Sequence, residues 1–498
     1  MTMILLPLIP FLGGLLCIFA RSRQSWERLN LLCFIALIPL AAKLCADILA
    51  HGPISSLNGF FRADALSAIV VALTAFIAPV CAIYSIGHLR ADVRAGKVTE
   101  RQLRHYYILT PLFVSVMLLV PLADNLGILW VAIESSTLAS VLLVTFYNQR
   151  TSFEAGWKYI IIGSIGISLA LFGTILTYYS SVNVLGNEAQ HGMNWSTLAG
   201  IADKFDPKAM RLAFVLILLG YGTKAGLAPM HTWKPDAYAE APVPTAALLG
   251  TALVNCAIYA IIRFDVLAVK CLGPEFPGKL LAGFGVASIL VAAPFILVQR
   301  NFRRILAYSS IDHAGVMAAA VGFGGKLGAL AAALHMIFHG VTKPLLFFCA
   351  GNVQQRFATP NFRRVRGVIR TLPLTGILFL LATLAITGVP PFSIFQSEFV
   401  TLSAALAGHH TWMASLFVAG IVLVFTGFLV HMAGMNLGAP RAAELVEPTG
   451  KTPPFNECTW KVGAMLSIAA IVVMFSFWFP GPLYRLVEQT VQIVGGAT

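Results

Sequence analysis

The chain has 498 residues, of which 58% are hydrophobic and only 11% charged; a soluble domain carries about 25% charged residues. That excludes a soluble globular domain and indicates a polytopic membrane protein. The formal net charge of +13 does not point to nucleic acid, because the basic residues concentrate in loops on one side of the predicted bundle.

The opening segment, MTMILLPLIPFLGGLLCIFA, lacks a basic leading region and a small-residue cleavage site, so it reads as a retained first helix. Runs of about 20 apolar residues suffice to span a bilayer. They recur near 2–20, 29–49, 65–86, 106–123, 125–147, 158–180, 210–229, 243–263, 279–298, 304–323, 328–351, 372–395, 399–436 and 460–480. The expectation is an all-α fold of about fourteen transmembrane helices. The run at 399–436 is too long for one span; its first part continues the preceding broken helix, and the span proper starts near Trp412. The eight cysteines are scattered without a CxxC pair. Cys17, Cys33, Cys81, Cys256 and Cys349 fall in apolar runs and read as small core residues. No iron–sulfur, zinc or disulfide framework is expected, and no cofactor.

Lysine and arginine in the loops set orientation. Loops after odd-numbered spans hold 22 of them, Arg441 and Lys451 included; the opposite loops hold 9, and Lys43, Lys224 and Lys343 lie inside helices. This bias places the odd loops in the cytoplasm and both termini, including Thr498, outside the inner (plasma) membrane.

The seventh span carries the densest polar signal, LLGYGTKAGLAPMHTWKPDAYAEAPVP, from Leu218 to Pro244. Lys224 sits within an apolar helix that breaks at Gly226 and Pro229. His231, Lys234, Asp236 and Glu240 follow, and Pro242 and Pro244 open the next span. A lysine in hydrocarbon costs roughly 2.5–3.5 kcal/mol on insertion scales, so it faces protein or water and by default marks an ion or proton pathway. Irregular backbone at that depth must be covered by protein or line a wet cavity. The twelfth span breaks similarly, at GVPPFSIF (Gly388 to Phe395). Paired Gly/Pro interruptions are a trace of transporter repeats, with the site at the breaks. His231, Lys234 and Asp236 are candidates for a proton intake or for supporting the break itself.

Four further places carry candidates. Glu134 lies midway along the fifth span, as a proton carrier or a structural hydrogen-bonding carboxylate. His335, His339 and Lys343 follow at i, i+4 and i+8 and so share one helical face over ~12 Å. Histidine switches protonation near neutral pH, which suits a relay. A metal site is disfavoured, since no glutamate lies between the histidines as in HExxH. Glu398 follows the second break. Asp312 and His313 start the tenth span near the cytoplasmic face, as a proton entrance or a helix-end cap. His431, on the thirteenth span, is a further candidate. Acid, base and neutral switch alternate along this series, an arrangement that can pass protons sideways in steps.

The stretches FRADALSAIV with IYSIGHL, LWVAIESSTLAS, KAGLAPMHTWKPDAYAEAPVPTAALL, RRILAYSSIDHAG, LHMIFHGVTKPLLFFCAGNV and ITGVPPFSIFQSEF cover residues 61 to about 400. Together they resemble the antiporter-like, proton-translocating membrane subunits of respiratory complex I, the Mrp antiporters and the group-4 membrane-bound hydrogenases. EAGWKYIIIGSIGISLALFGTILTYYSS and TGVPPFSIFQSEF look most like the hydrogenase-4 component F type. The resemblance implies N-terminal helices over 1–105, two inverted five-helix repeats over 106–263 and 279–436, and a C-terminal helix and tail over 460–498. It implies that Glu134 and Lys224 form one half-channel pair, that Lys343 lies on the central axis and that Glu398 holds the exit side. It also implies partner subunits, membrane and peripheral, that would carry any redox chemistry. Two departures stand out: Asn255, where many relatives have a lysine, and Lys234, where many have an apolar residue. The alternatives are a cation/proton antiporter subunit, the membrane partner of an inorganic-carbon uptake complex, and a non-conducting scaffold.

Overall fold

The computed structural model describes residues 1–185, 192–439 and 457–496. Arg441, Lys451 and Thr498 lie outside the described residues.

In chain order the helices are α1 (Thr2–Phe19), α2 (Arg23–His51), α3 (Ala65–Arg94), α4 (Glu100–Leu122), α5 (Leu126–Val144) and α6 (Arg150–Leu185). The seventh predicted span breaks into α7 (Pro207–Ala225) and α8 (Trp233–Glu240). Then come α9 (Val243–Leu272), α10 (Glu275–Val298), α11 (Phe302–Phe323) and α12 (Gly325–Phe357). The twelfth predicted span breaks into α13 (Pro373–Ile386) and α14 (Ser393–Ala407). The series ends with α15 (Thr411–Leu437), α16 (Thr459–Phe477) and α17 (Gly481–Val494). Among the described residues twelve of these are long and apolar enough to cross a membrane; α7, α8, α13, α14 and α17 are not in that set. A small hairpin, β1 (Ile54–Ser56) and β2 (Phe61–Ala63), pairs antiparallel with Ile54 opposite Ala63.

Polar residues at the loop ends start these helices. The Asp64 carboxylate accepts from the Ser67 amide at α3, and Thr99 and Gln102 close a reciprocal capping box at α4. Asn125 caps α5, Asp206 caps α7 ahead of Pro207, and Asn301 caps α11. Each supplies an acceptor to amides that the helix itself leaves unpaired.

Loop contacts sort into two ends. At one end Arg23 and Arg90 both reach Glu27, Arg104 donates to the Ile18 carbonyl, and Asn301 bridges Asn361. These positions follow odd-numbered spans. At the other end the loop at Asp124 and Asn125 pairs with Asn194 and Trp195, and Lys270 donates to the Ala199 carbonyl.

Burial is uneven. The most apolar stretches of α9 and α11 are enclosed on all sides and α12 nearly so, whereas α1, α2 and α15 are largely peripheral. The enclosed helices carry Asn255, Asp312, His313, His335, His339 and Lys343, all buried. Buried polar side chains are costly without partners, so their concentration in the innermost layer marks the site.

Candidate functional site

The first cluster gathers on α5, α6 and α7. The Lys224 ammonium donates to Thr137 Oγ1 at 2.7 Å and to the Tyr159 hydroxyl at 2.9 Å. Thr137 in turn donates to Glu134 Oε2 at 3.3 Å. Thr137 sits one turn along α5 from Glu134, the spacing at which helical side chains meet. The Tyr159 hydroxyl lies 2.8 Å from Ser140 Oγ, and its ring stacks on Trp233 with centroids 4.4 Å apart. Lys224 is buried, while Glu134 is only partly so. The predicted Glu134–Lys224 pair is therefore joined through a hydroxyl, without a direct ion contact.

The break between α7 and α8 has a definite cause. Gly226 adopts φ +78° and ψ 36°, a left-handed conformation that glycine takes without penalty and that ends α7. Lys234 folds back under this glycine. Its ammonium lies 2.5 Å from the Ala225 carbonyl and 3.3 Å from that of Ser310 on α11. A Cβ built on Gly226 would lie 2.5 Å from Lys234 Cδ, so the glycine serves both the turn and the lysine. Lys234 is fully buried, which no simple alternation of residues in HTWKPDAY announces.

The second cluster joins α11, α12 and α14. His313 Nδ1 lies 3.1 Å from His335 Nε2, and His335 Nδ1 lies 2.9 Å from Ser397 Oγ. Ser397 donates to the Ile394 carbonyl at 2.8 Å. Which ring nitrogen of each histidine carries the proton sets the donor in these two contacts. His339 stacks near both rings, 5.0 Å from His313 and 6.3 Å from His335 between centroids. Both His339 nitrogens, Lys343 Nζ and Asp312 Oδ1 are buried without a hydrogen-bond partner among the described residues. Glu398, adjacent to Ser397, is buried at the second break. Its carboxylate occupies the space where a Cβ on Gly388, at φ +67°, would stand. Each break thus seats a titratable side chain against its left-handed glycine.

Asp312 and His313 correct one expectation. They do not cap a helix end: Asn301 caps α11, accepting from the Arg303 and Arg304 amides, and the two residues lie ~15 Å further along the axis. Asp236 sits at the odd-loop surface, 3.0 Å from Lys158 and 2.5 Å from Arg304, and ties α6, α8 and α11 together. His231 is buried at the head of α8 with Nδ1 unpartnered. His431 lies apart, its Nε2 2.9 Å from the Leu297 carbonyl and its ring against Phe362. Asn255 follows a π-helical turn over Leu249–Leu253, and its amide is 3.3 Å from the Met336 carbonyl, beside the histidine stripe.

Sequence reading missed a polar vestibule. A cavity of about 270 Å³ at the odd-loop end is lined by His88, Asp92, Tyr147, Glu240, Arg303 and Gln355, among others. Tyr147 and Gln355 donate to Asp92 at 2.8 and 2.9 Å. The i, i+4 spacing of His88 and Asp92 on α3 was the available signal.

Residues 123–424 match the family described as "NADH:quinone oxidoreductase/Mrp antiporter, TM". The chain is 37% identical over 384 residues to the hydrogenase-4 component F homolog of Methylacidiphilum infernorum, covering 77% of this chain and 80% of that protein. It is 27% identical over 438 residues to hydrogenase-4 component B of Escherichia coli, covering 83% of this chain but only 62% of that protein's length. In fold it is similar to a chain of the membrane-bound sulfane sulfur reductase, an archaeal respiratory membrane complex, with a TM-score of 0.84 at 22% identity over 99% of this chain and 97% of the other.

Proposed function

We propose that this chain, which belongs to the NADH:quinone oxidoreductase/Mrp antiporter family of transmembrane proteins, is the proton-translocating membrane subunit of a multi-subunit, redox-driven complex of the hydrogenase-4 kind. One observation carries the reading: two clusters of exchangeable groups, Lys224–Thr137–Glu134 and His313–His335–Ser397, each stand beside a helix break. In this reading protons pass by changes of protonation among Glu134, Lys224, His335, His339, Lys343 and Glu398, with Asp312 and His313 inside the path. The vestibule around Asp92 supplies the cytoplasmic intake, and the Asp236 ion pairs hold the break nearby. The span regions 106–263 and 279–436 are the two inverted repeats. The shared seating of Lys234 on Gly226 and Glu398 on Gly388 supports that pairing. The chain is a multi-pass protein of the plasma membrane with both termini outside, and electron transfer belongs to its partner subunits.

A proton path differs from a sodium path in one physical respect. A protonated lysine repels a second unit charge about 4 Å away by ~4 kcal/mol at an effective dielectric near 20. It can nevertheless hand its own proton onward. Proton uptake, followed with a pH dye in vesicles containing the working complex, should be unchanged when choline replaces sodium. Loss of the signal in choline would overturn the reading in favour of a cation/proton antiporter subunit.

A further inference from the structure

The two clusters are separated by α9, whose Asn255, beside the histidine stripe, cannot hold a proton. Its amide is engaged with the Met336 carbonyl on α12. A different residue reaches both sides. The Lys234 ammonium contacts the Ala225 carbonyl, whose residue directly follows Lys224, and the Ser310 carbonyl, two residues before Asp312 on α11. Lys234 is fully buried and has no carboxylate within ion-pair distance among the described residues. An ammonium has three hydrogens to donate, and the two carbonyls accept two of them. The neighbouring Trp233 stacks on Tyr159, which binds Lys224. Lys234 thus stands between the groups of the first cluster and those of the second, on the break that separates them.

We propose that Lys234 is the lateral relay group of this chain, accepting a proton from the Lys224 side and passing it toward Asp312 and His313. Lys234 as a neutral amine takes a proton from the Lys224 ammonium and, as an ammonium, gives one to the Asp312 carboxylate or the His313 imidazole, so no bond between heavy atoms forms or breaks and no electron is transferred. Water bridges the spans longer than a hydrogen bond. The inference rests on the proton-path reading above. The alternative role for Lys234 is a static clamp, in which its ammonium caps the carbonyl end of α7 and binds α11.

Lys234→Gln separates the two. The amide keeps two N–H donors for the two carbonyls but takes up no proton. In vesicles carrying the assembled complex, Lys234→Gln should assemble at wild-type levels and lower proton transport at least tenfold. Adding Asn255→Lys to that variant should restore transport, because a titratable amine then returns to the gap from α9. Wild-type transport by Lys234→Gln overturns the proposal. So does failure of Lys234→Gln to assemble, which assigns the residue to the clamp, and so does a double variant that assembles but stays inactive. Lys224→Met is the companion control. If it transports normally, the proton-path reading itself falls; if it stops transport while Lys234→Gln does not, only the relay role of Lys234 falls.

Discussion

Lys224 and Glu134 meet at a third side chain. The Thr137 hydroxyl accepts from the lysine at 2.7 Å and donates to the carboxylate at 3.3 Å. A hydroxyl in this position can receive a proton on one side while releasing its own on the other, so on the proposed path the two groups would exchange a proton without touching. Thr137→Val preserves shape and removes the hydroxyl. A hydrogen bond lost from such a site is worth about 1 kcal/mol, so transport should fall roughly fivefold. Glu134→Gln and Lys224→Met should abolish it, with the complex still assembled. Dye-detected proton uptake in vesicles measures all three, and a Thr137→Val variant at wild-type rate would show that the hydroxyl is a spectator.

The three histidines should behave as one unit. His313 and His335 share a hydrogen bond of 3.1 Å, and His339 packs on both. Residues of one network give strongly non-additive effects. His313→Leu alone should lower transport at least tenfold, as should the His335→Leu/His339→Leu double variant, and the triple variant should be no worse than either. Independent, multiplying losses would split the cluster into unrelated side chains.

The Asp64–Arg263 pair is a stability element. Arg263 meets Asp64 Oδ2 at 2.7 Å and Oδ1 at 2.7 Å and packs over Trp195 and Tyr259, all buried. Removing one partner of a buried pair leaves an uncompensated charge at a cost of about 3–5 kcal/mol. Asp64→Asn should therefore unfold at markedly lower denaturant concentration in detergent, while transport per assembled complex is retained. Unchanged unfolding would contradict the assignment.

Topology can be checked without any transport assay. Cysteine placed at Arg364, exposed in the odd-loop end, should react with an impermeant maleimide only after cells are permeabilised. Cysteine at Asn58, exposed in the hairpin, should react in intact cells. The reverse pattern would invert the chain in the membrane.

The residues that sequence made legible are those whose chemistry conflicts with hydrocarbon. Lys224, the histidine stripe and Glu398 stand out because each is expensive in an apolar run, and the two breaks announce themselves through Gly and Pro. Thr137, Tyr159, Ser140 and Ser397 do not, because hydroxyls are ordinary in membrane helices and their roles come from neighbours distant in sequence. Asp312 and His313 look from sequence to lie at a helix end, yet they sit well inside α11: the depth of a residue depends on how its helix is set among the others, which periodicity does not report. Lys234 was ambiguous for a related reason. Beside Asp236 it reads as a surface charge, yet the chain reverses at Gly226 and carries the lysine inward while Asp236 remains in the rim.

The seating of Lys234 on Gly226 and of Glu398 on Gly388 makes each helix break and its titratable side chain a single mechanical part. Neither glycine leaves clearance between backbone and side chain. Any rotation of the break displaces the titratable group, and any move of that group presses on the break. On the proposed proton path, a change of protonation at either side chain would act on its break over one van der Waals contact, with no signal carried along the bundle. A methyl group added at either glycine would disturb the break and the buried titratable side chain in the same stroke.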